Sequence, residues 1–224
     1  GNSHLDSEKS HSFNLSYSNF TQKFNINLSA RYSFTNNSIE QVTEQVKDTE
    51  IEGLQNPTGK EVLYSTYQNI GKSRNASLSG YVNWNATSNT RIYANLYGNY
   101  TYMEGANGLK NDGWNLFAYG GAQQSLPHDW RISLNIYGQT PWIMLQGKGS
   151  SFFDYGLSVN KSFLNKRLTL SAFASNFFKK YTSPTSSIEG VGFTQDSWNR
   201  YTRQRFGVSA VSYTHLRAHE TKAN

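Results

Sequence analysis

From Asn75 to Met103 the chain keeps a period of two on both sides of a short polar turn. Before the turn, Ala76, Leu78, Gly80, Val82 and Trp84 alternate with Ser77, Ser79, Tyr81 and Asn83. After it, Ile92, Ala94, Leu96, Gly98 and Tyr100 alternate with Tyr93, Asn95, Tyr97, Asn99 and Thr101. Successive side chains on a strand point to opposite faces, so each arm has one apolar or small face and one face of neutral hydrogen-bonding groups. Ala86-Thr87-Ser88-Asn89-Thr90 is turn chemistry, which makes the pair a hairpin. The alternation leaves open which face meets water, because a soluble sandwich turns the same apolar face inward.

Composition bears on that choice. Hydrophobic residues are 36% of the 224, yet aromatics reach 15%, with fifteen Tyr. A chain poor in Leu and Ile but rich in Tyr, Asn, Ser and Gly fills a dry core badly and suits a sheet with one wet side. Charged residues are only 16%, against roughly 25% in soluble domains, so neutral side chains carry the polarity. The many aromatics argue against disorder. The net charge of +6 is spread thinly; the densest basic stretch, Arg200 to Arg205, holds three Arg, short of the basic stripe that nucleic acid requires. With no Cys, disulfides and thiolate metal sites are ruled out. No apolar run approaches the roughly 18 residues of a membrane helix, which says nothing against strand-built membrane proteins.

The same period recurs along the chain. Ser12–Asn19 sets Phe13, Leu15 and Tyr17 against Asn14, Ser16 and Ser18, and the strand from Phe24 sets Ile26, Leu28, Ala30, Tyr32 and Phe34 against Asn25, Asn27, Ser29, Arg31 and Ser33. Ile39–Val46 is extended and polar, Lys47–Lys60 reads as a long loop, and Val62–Ser73 returns to the hairpin. Glu104–Gly113 reads as a loop, followed by strands from Trp114, over Arg131–Gln139, Phe153–Asn160 and Leu168–Ser175, and finally at Phe206–Ala210. Thr140–Ser150 and Lys179 to about Gly190 read as loops.

Connections near Phe20, Ala86, Ser125 and Leu164 are short, while those near Gly53, Gly105, Trp142 and Pro184 are long. Consecutive antiparallel strands place alternate turns at opposite ends, so one rim is tight and the other elaborated, as in transmembrane barrels. The alternation persists for about nine to eleven residues, the length a tilted membrane strand needs; soluble strands run nearer five or six. Tyr100, Tyr102, Trp114, Trp130, Phe152 and Phe153 near strand ends fit interfacial girdles. The expected fold is all-β, an antiparallel up-and-down transmembrane β-barrel segment of about nine strands, incomplete as a barrel.

On Ser12–Glu40, Tyr67–Met103 and Arg205-Phe206-Gly207-Val208-Ser209, the chain resembles the C-terminal barrel portion of a TonB-dependent outer-membrane receptor, of the outer-membrane β-barrel family. The resemblance covers most of Ser12–Ser212 and rests on strand patterns rather than catalytic signatures. It implies a Gram-negative outer-membrane location, lipid outside the wall, and a small nutrient ligand captured by outer loops. It also implies a plug, the remainder of a barrel of roughly 22 strands, and an energy-coupling TonB complex acting through that plug. Residues 1–211 are then a partial barrel, and 212–224 a non-native tail resembling translated adapter sequence.

Chemical motifs are sparse. His215 and His219 stand at i and i+4, but not in the order H-E-x-x-H. Thr58-Gly59-Lys60 lacks the other positions of a phosphate-binding loop. Asp112, Asp129, Asp154 and Asp196 lie in or beside different loops without paired spacing, and no Ser sits in a G-x-S-x-G elbow. No enzyme, cofactor or metal is expected. Asn-x-Ser/Thr sequons, such as those beginning at Asn14, Asn19, Asn75 and Asn85, follow from an Asn- and Ser-rich composition. Loops held by a rigid scaffold concentrate binding residues, which makes Trp114, Trp142, Gln146, Tyr181 and Trp198 the candidate ligand contacts at the outer rim.

Two rival readings make different physical demands. A small passive outer-membrane pore needs a closed barrel, and single-chain bacterial barrels have even strand numbers. A soluble secreted glycan-binding β-sandwich needs a second sheet packed on the leucine face. The wall pattern is indifferent to cargo.

Overall fold

The computed structural model describes residues 2–105 and 108–212. Its strands are, in chain order, β1 (Lys9–Phe20), β2 (Phe24–Asn36), β3 (Ile39–Lys47), β4 (Glu61–Asn69), β5 (Lys72–Asn85) and β6 (Thr90–Glu104). There follow β7 (Lys110–Leu126), β8 (Trp130–Gln139), β9 (Ile143–Met144), β10 (Gly147–Lys148), β11 (Phe152–Phe163) and β12 (Leu168–Ser175). The last are β13 (Tyr181–Thr182), β14 (Thr185–Gly190), β15 (Phe193–Trp198), β16 (Tyr201–Thr202) and β17 (Arg205–Ser212). Asp48–Glu50 forms a 3-10 turn.

Nine strands form a single antiparallel sheet in the order β1-β2-β5-β6-β7-β8-β11-β12-β17, each beside the next in chain order, and the sheet does not close. Its register carries the alternation across the whole wall. Ala30 faces Leu78, Leu78 faces Gly98, and Gly98 faces Leu116. Opposed residues share a face, so the apolar positions of all nine strands lie together. Leu78, Leu96, Leu116 and Leu134 are 62%, 57%, 51% and 46% exposed. Among the described residues no second sheet covers them, as a soluble sandwich would require. Gly138 lets a large neighbour lie flat here, since a Cβ on it would stand 3.0 Å from the Phe153 ring.

Short connections at Thr21–Lys23, Ala86–Asn89, Pro127–Asp129 and Leu164–Arg167 mark one rim. The other rim holds a dry interior: among the described residues Val42, Ile70, Met103, Ile143 and Leu145 are the buried apolar ones. Three sequence expectations change there. The loop expected over Glu104–Gly113 is shorter, because β6 and β7 stay paired to Glu104 and Lys110; the Asn111 amide, donating to the carbonyls of Met144 and Gly147, fastens the extension. The loops expected after Thr140 and Lys179 contain strands of their own, β9–β10 and β13–β14. Phe152 is not a girdle residue: it pairs with Gln139 and packs on Tyr137, on the polar face, while Phe153 takes the apolar one. Ser212 pairs with Leu168 as the end of β17. The remainder of the expected tail, with His215 and His219, lies outside the described residues.

Candidate functional site

The long-connection rim carries two small sheets that meet each other, beside the separate β13–β16 pair. The β3–β4 hairpin continues the path of β2 and β5 beyond the wall, and β15-β14-β10-β9 forms the second sheet. Val42 of β3, Ile70, Met103 of β6 and Leu145 meet in one cluster, with Leu109 packed against it. Gly113 leaves room for this docking, because a Cβ there would come 2.8 Å from Ile143 Cδ1. These contacts join segments about a hundred residues apart, so burial rather than local propensity holds the roof to the wall.

Gln146 is the polar counterpart of that cluster. The Thr43 amide donates to its Oε1 at 2.7 Å, and its Nε2 donates to the Thr43 carbonyl at 2.8 Å. Its own carbonyl accepts from the Glu189 amide at 2.7 Å, so one residue binds three segments. The far end of the hairpin is closed by Asp48, whose carboxylate accepts from the Thr58 hydroxyl and from the amides of Thr58 and Gly59. Those bonds, the Thr58 hydroxyl first, hold the Asp48 carboxyl below the usual aspartate range. Thr58-Gly59 thus serves an internal carboxylate.

Between the two small sheets lies a cavity of about 570 Å³. Glu40, Gln41, Thr43, Ser65 and Tyr67 line it from the hairpin, Trp142 to Gln146 from the β8–β11 connection, and Ser186, Ile188, Gln195 and Ser197 from β14 and β15. Burial pushes the Glu40 carboxyl above its usual range, the Ser38 hydroxyl opposes that, and the nearby Glu8 charge adds to it. The lining combines the aromatic Tyr67 and Trp142 and the apolar Ile143 to Leu145 and Ile188 with amides and hydroxyls, the makeup of a pocket that orients a small polar ligand.

The five sequence candidates divide. Trp142 and Gln146 meet in the cavity wall. Trp198 ends β15 beside the lining residue Ser197 but is 67% exposed and turned elsewhere. Tyr181 lies in β13 beneath the Arg200 guanidinium, 4.2 Å from its ring centre. Trp114 stands within wall strand β7, packed on Tyr100 at 5.4 Å. The carboxylates also separate: Asp154 pairs with Arg203, and Asp112 accepts from the Tyr100 hydroxyl. Thr43, Ser65 and Tyr67 enter the site from the hairpin, and their sequence signal lies in the strand-like runs Ile39–Val46 and Val62–Ser73, which read as a polar extension of the wall.

A family model described as "Outer membrane protein beta-barrel family" matches residues 1–213. No curated protein and no solved structure matches the chain.

Proposed function

The chain belongs to the outer membrane protein beta-barrel family, and from that premise we propose that it is part of the wall and outer loops of a TonB-dependent receptor that takes up a scarce nutrient across the outer membrane of a Gram-negative bacterium. The apolar face of Leu78, Leu96 and Leu116 meets lipid, and the face of Asn95, Tyr119 and Asn135 lines the lumen. The short-turn rim is periplasmic and the roofed rim outermost. The chain is barrel wall rather than enzyme.

The roof is the observation that carries this reading. Its packed core and the Gln146–Thr43 bonds position Trp142, Gln146, Thr43 and Tyr67 around one cavity at the mouth. A passive pore gains nothing from an ordered cap over its entrance, whereas a receptor must hold ligand there before transport. Release through the lumen then requires force on a plug, supplied by the inner-membrane coupling complex. The nine-stranded sheet, open at β1 and β17, is completed by the receptor's other strands.

Uptake of an iron chelate, a cobalamin and an oligosaccharide, measured in cells producing the receptor with and without a protonophore, tests this. Energised uptake of one of them, abolished by the protonophore and by loss of the coupling protein, is expected. Uptake that continues undiminished indicates a passive pore and overturns the reading.

A further inference from the structure

One lateral row of opposed residues crosses the polar face: Asn27, Tyr81, Asn95, Tyr119, Tyr137 and Asp154, one from each of six neighbouring strands. Aromatic rings extend it diagonally toward both rims. Tyr93, nearer the short turns, lies 5.8 Å from Tyr119, Tyr119 lies 6.2 Å from Tyr137, and Tyr137 lies 4.8 Å from Phe152 at the roofed end. The rings are tilted to one another by 47°, 72° and 34° rather than stacked flat, and Tyr81 and Tyr119 are 40% and 42% exposed. Asn95 and Asn135 stand exposed beside them. Asn115, by contrast, donates its amide to the Thr140 carbonyl.

Charge is answered at both ends of this track. Arg91 donates to the Asn83 side chain at 2.6 Å and lies over the Tyr93 ring. Arg203 pairs with Asp154, donates to the Tyr201 hydroxyl at 2.8 Å, and lies over the Phe152 ring at 5.4 Å. Beside it opens a cleft of about 520 Å³ that includes Tyr137, Phe152 and Asn176. The cleft also takes in Arg205, and the path offers aromatic faces alternating with neutral amides and hydroxyls, with Arg91 and Arg203 engaged at its two ends.

We propose that this track binds a linear, uncharged oligosaccharide along the lumen wall, an inference that rests on the receptor reading above. A sugar ring has one face of C–H groups and a rim of hydroxyls; the first packs on an aromatic face, and the second exchanges hydrogen bonds with amide groups, which donate and accept. Single-stranded nucleic acid also stacks on rings, but it needs a groove of free cations beside them. The row repeats from strand to strand, at the roughly 4.8 Å spacing of a sheet, so it suits a ligand that is itself a repeat. Cross-strand aromatic pairs stabilise a sheet in any protein, so the test must separate binding from folding.

The detergent-solubilised full-length receptor is titrated calorimetrically with maltoheptaose, cellohexaose and xylohexaose, as wild type, as Tyr119→Ala/Tyr137→Ala and as Tyr119→Phe/Tyr137→Phe, with circular dichroism melts alongside. At least one probe should bind the wild type. Its affinity should fall about tenfold or more in the alanine variant and stay within about threefold in the phenylalanine variant, which keeps both rings. If the alanine variant melts early, Asn95→Ala/Asn135→Ala, which leaves every ring in place, should still weaken binding about fivefold. No binding by the wild type, or undiminished binding by the folded variants, overturns the track. Energised uptake of an iron chelate or cobalamin alone would overturn the track and leave the receptor standing. Uptake insensitive to the protonophore would overturn the receptor reading itself.

Discussion

Gln146 and Thr43, 103 residues apart in sequence, exchange two hydrogen bonds, the Thr43 amide donating at 2.7 Å and the Gln146 amide at 2.8 Å, and both residues are buried. A glutamine that satisfies both backbone groups of a residue on another strand acts as one more rung of ladder. Gln146→Ala leaves a buried N–H and a buried C=O without partners, at a cost of about 1–3 kcal/mol each before water enters. Gln146→Glu keeps the acceptor but sets a carboxylate oxygen against the Thr43 carbonyl. Amide exchange at Thr43 and Glu189 should accelerate in both variants, while exchange in β6 and β7 stays unchanged. Uniform acceleration would mean that roof and wall unfold as one unit.

Leu78 and Ser79 are adjacent on β5 and face opposite sides of the wall, Leu78 opposed to Ala30 and Gly98, Ser79 to Ser29 and Tyr97. If the leucine face meets lipid, Leu78→Arg places a charge among acyl chains near mid-strand, costing about 2–4 kcal/mol. Ser79→Arg places the same side chain in the wet lumen and should cost well under half of that. Urea titration of folding into lipid vesicles measures both. Equal costs would show that the two faces share one environment.

The wall was legible in the sequence because its code is local. Leu78 and Gly98 oppose each other in register, and each could be assigned to its face from its own strand, since a one-residue slip would invert every side chain at once. Phe152 and Phe153 show its reach. Two adjacent identical residues must take opposite faces, the alternation with Tyr155, Leu157 and Val159 gives Phe153 the apolar one, and the pairings of Phe153 with Gly138 and of Phe152 with Gln139 agree. The roof was illegible: Val42, Ile70 and Met103 are single apolar residues in separate polar stretches, Leu145 ends the short apolar run Trp142-Ile143-Met144-Leu145, and nothing short of their meeting marks the four as a core. Trp142 and Gln146 were recognisable as loop residues of binding type, yet their partners Thr43 and Tyr67 looked like strand.

Asp48 ties the β3–β4 connection to itself. Its carboxyl is held below the usual range, first by the Thr58 hydroxyl and then by the Thr58 and Gly59 amides. A carboxylate with a depressed folded pKa stabilises above its unfolded value and loses that contribution as pH falls through the folded one. The loop should therefore hold its order at neutral pH and lose it below about pH 4, where an unperturbed aspartate protonates. Protection factors at Thr58 and Gly59, followed from pH 7 downward, should fall in that window and not before. Asp48→Asn should lower them at every pH and remove the pH dependence.

The edges of the sheet set how the chain behaves in isolation. Among the described residues β1 pairs only with β2, and β17 only with β12, so each presents an outer row of unpaired backbone groups there. The same strands expose Phe13 at 67%, Leu15 at 75%, Phe206 at 65% and Val208 at 84%. Open edges joined to a bare apolar face are a template for pairing between copies, and the dry cluster of the roof is too small to draw the wall's leucines under cover. In plain buffer the chain should therefore sediment as large, β-rich aggregates, and in detergent above its micelle concentration it should disperse. Sedimentation velocity with and without detergent distinguishes the outcomes. A folded monomer in plain buffer would require the leucine face to tolerate water, and the assignment of that face to lipid would fail.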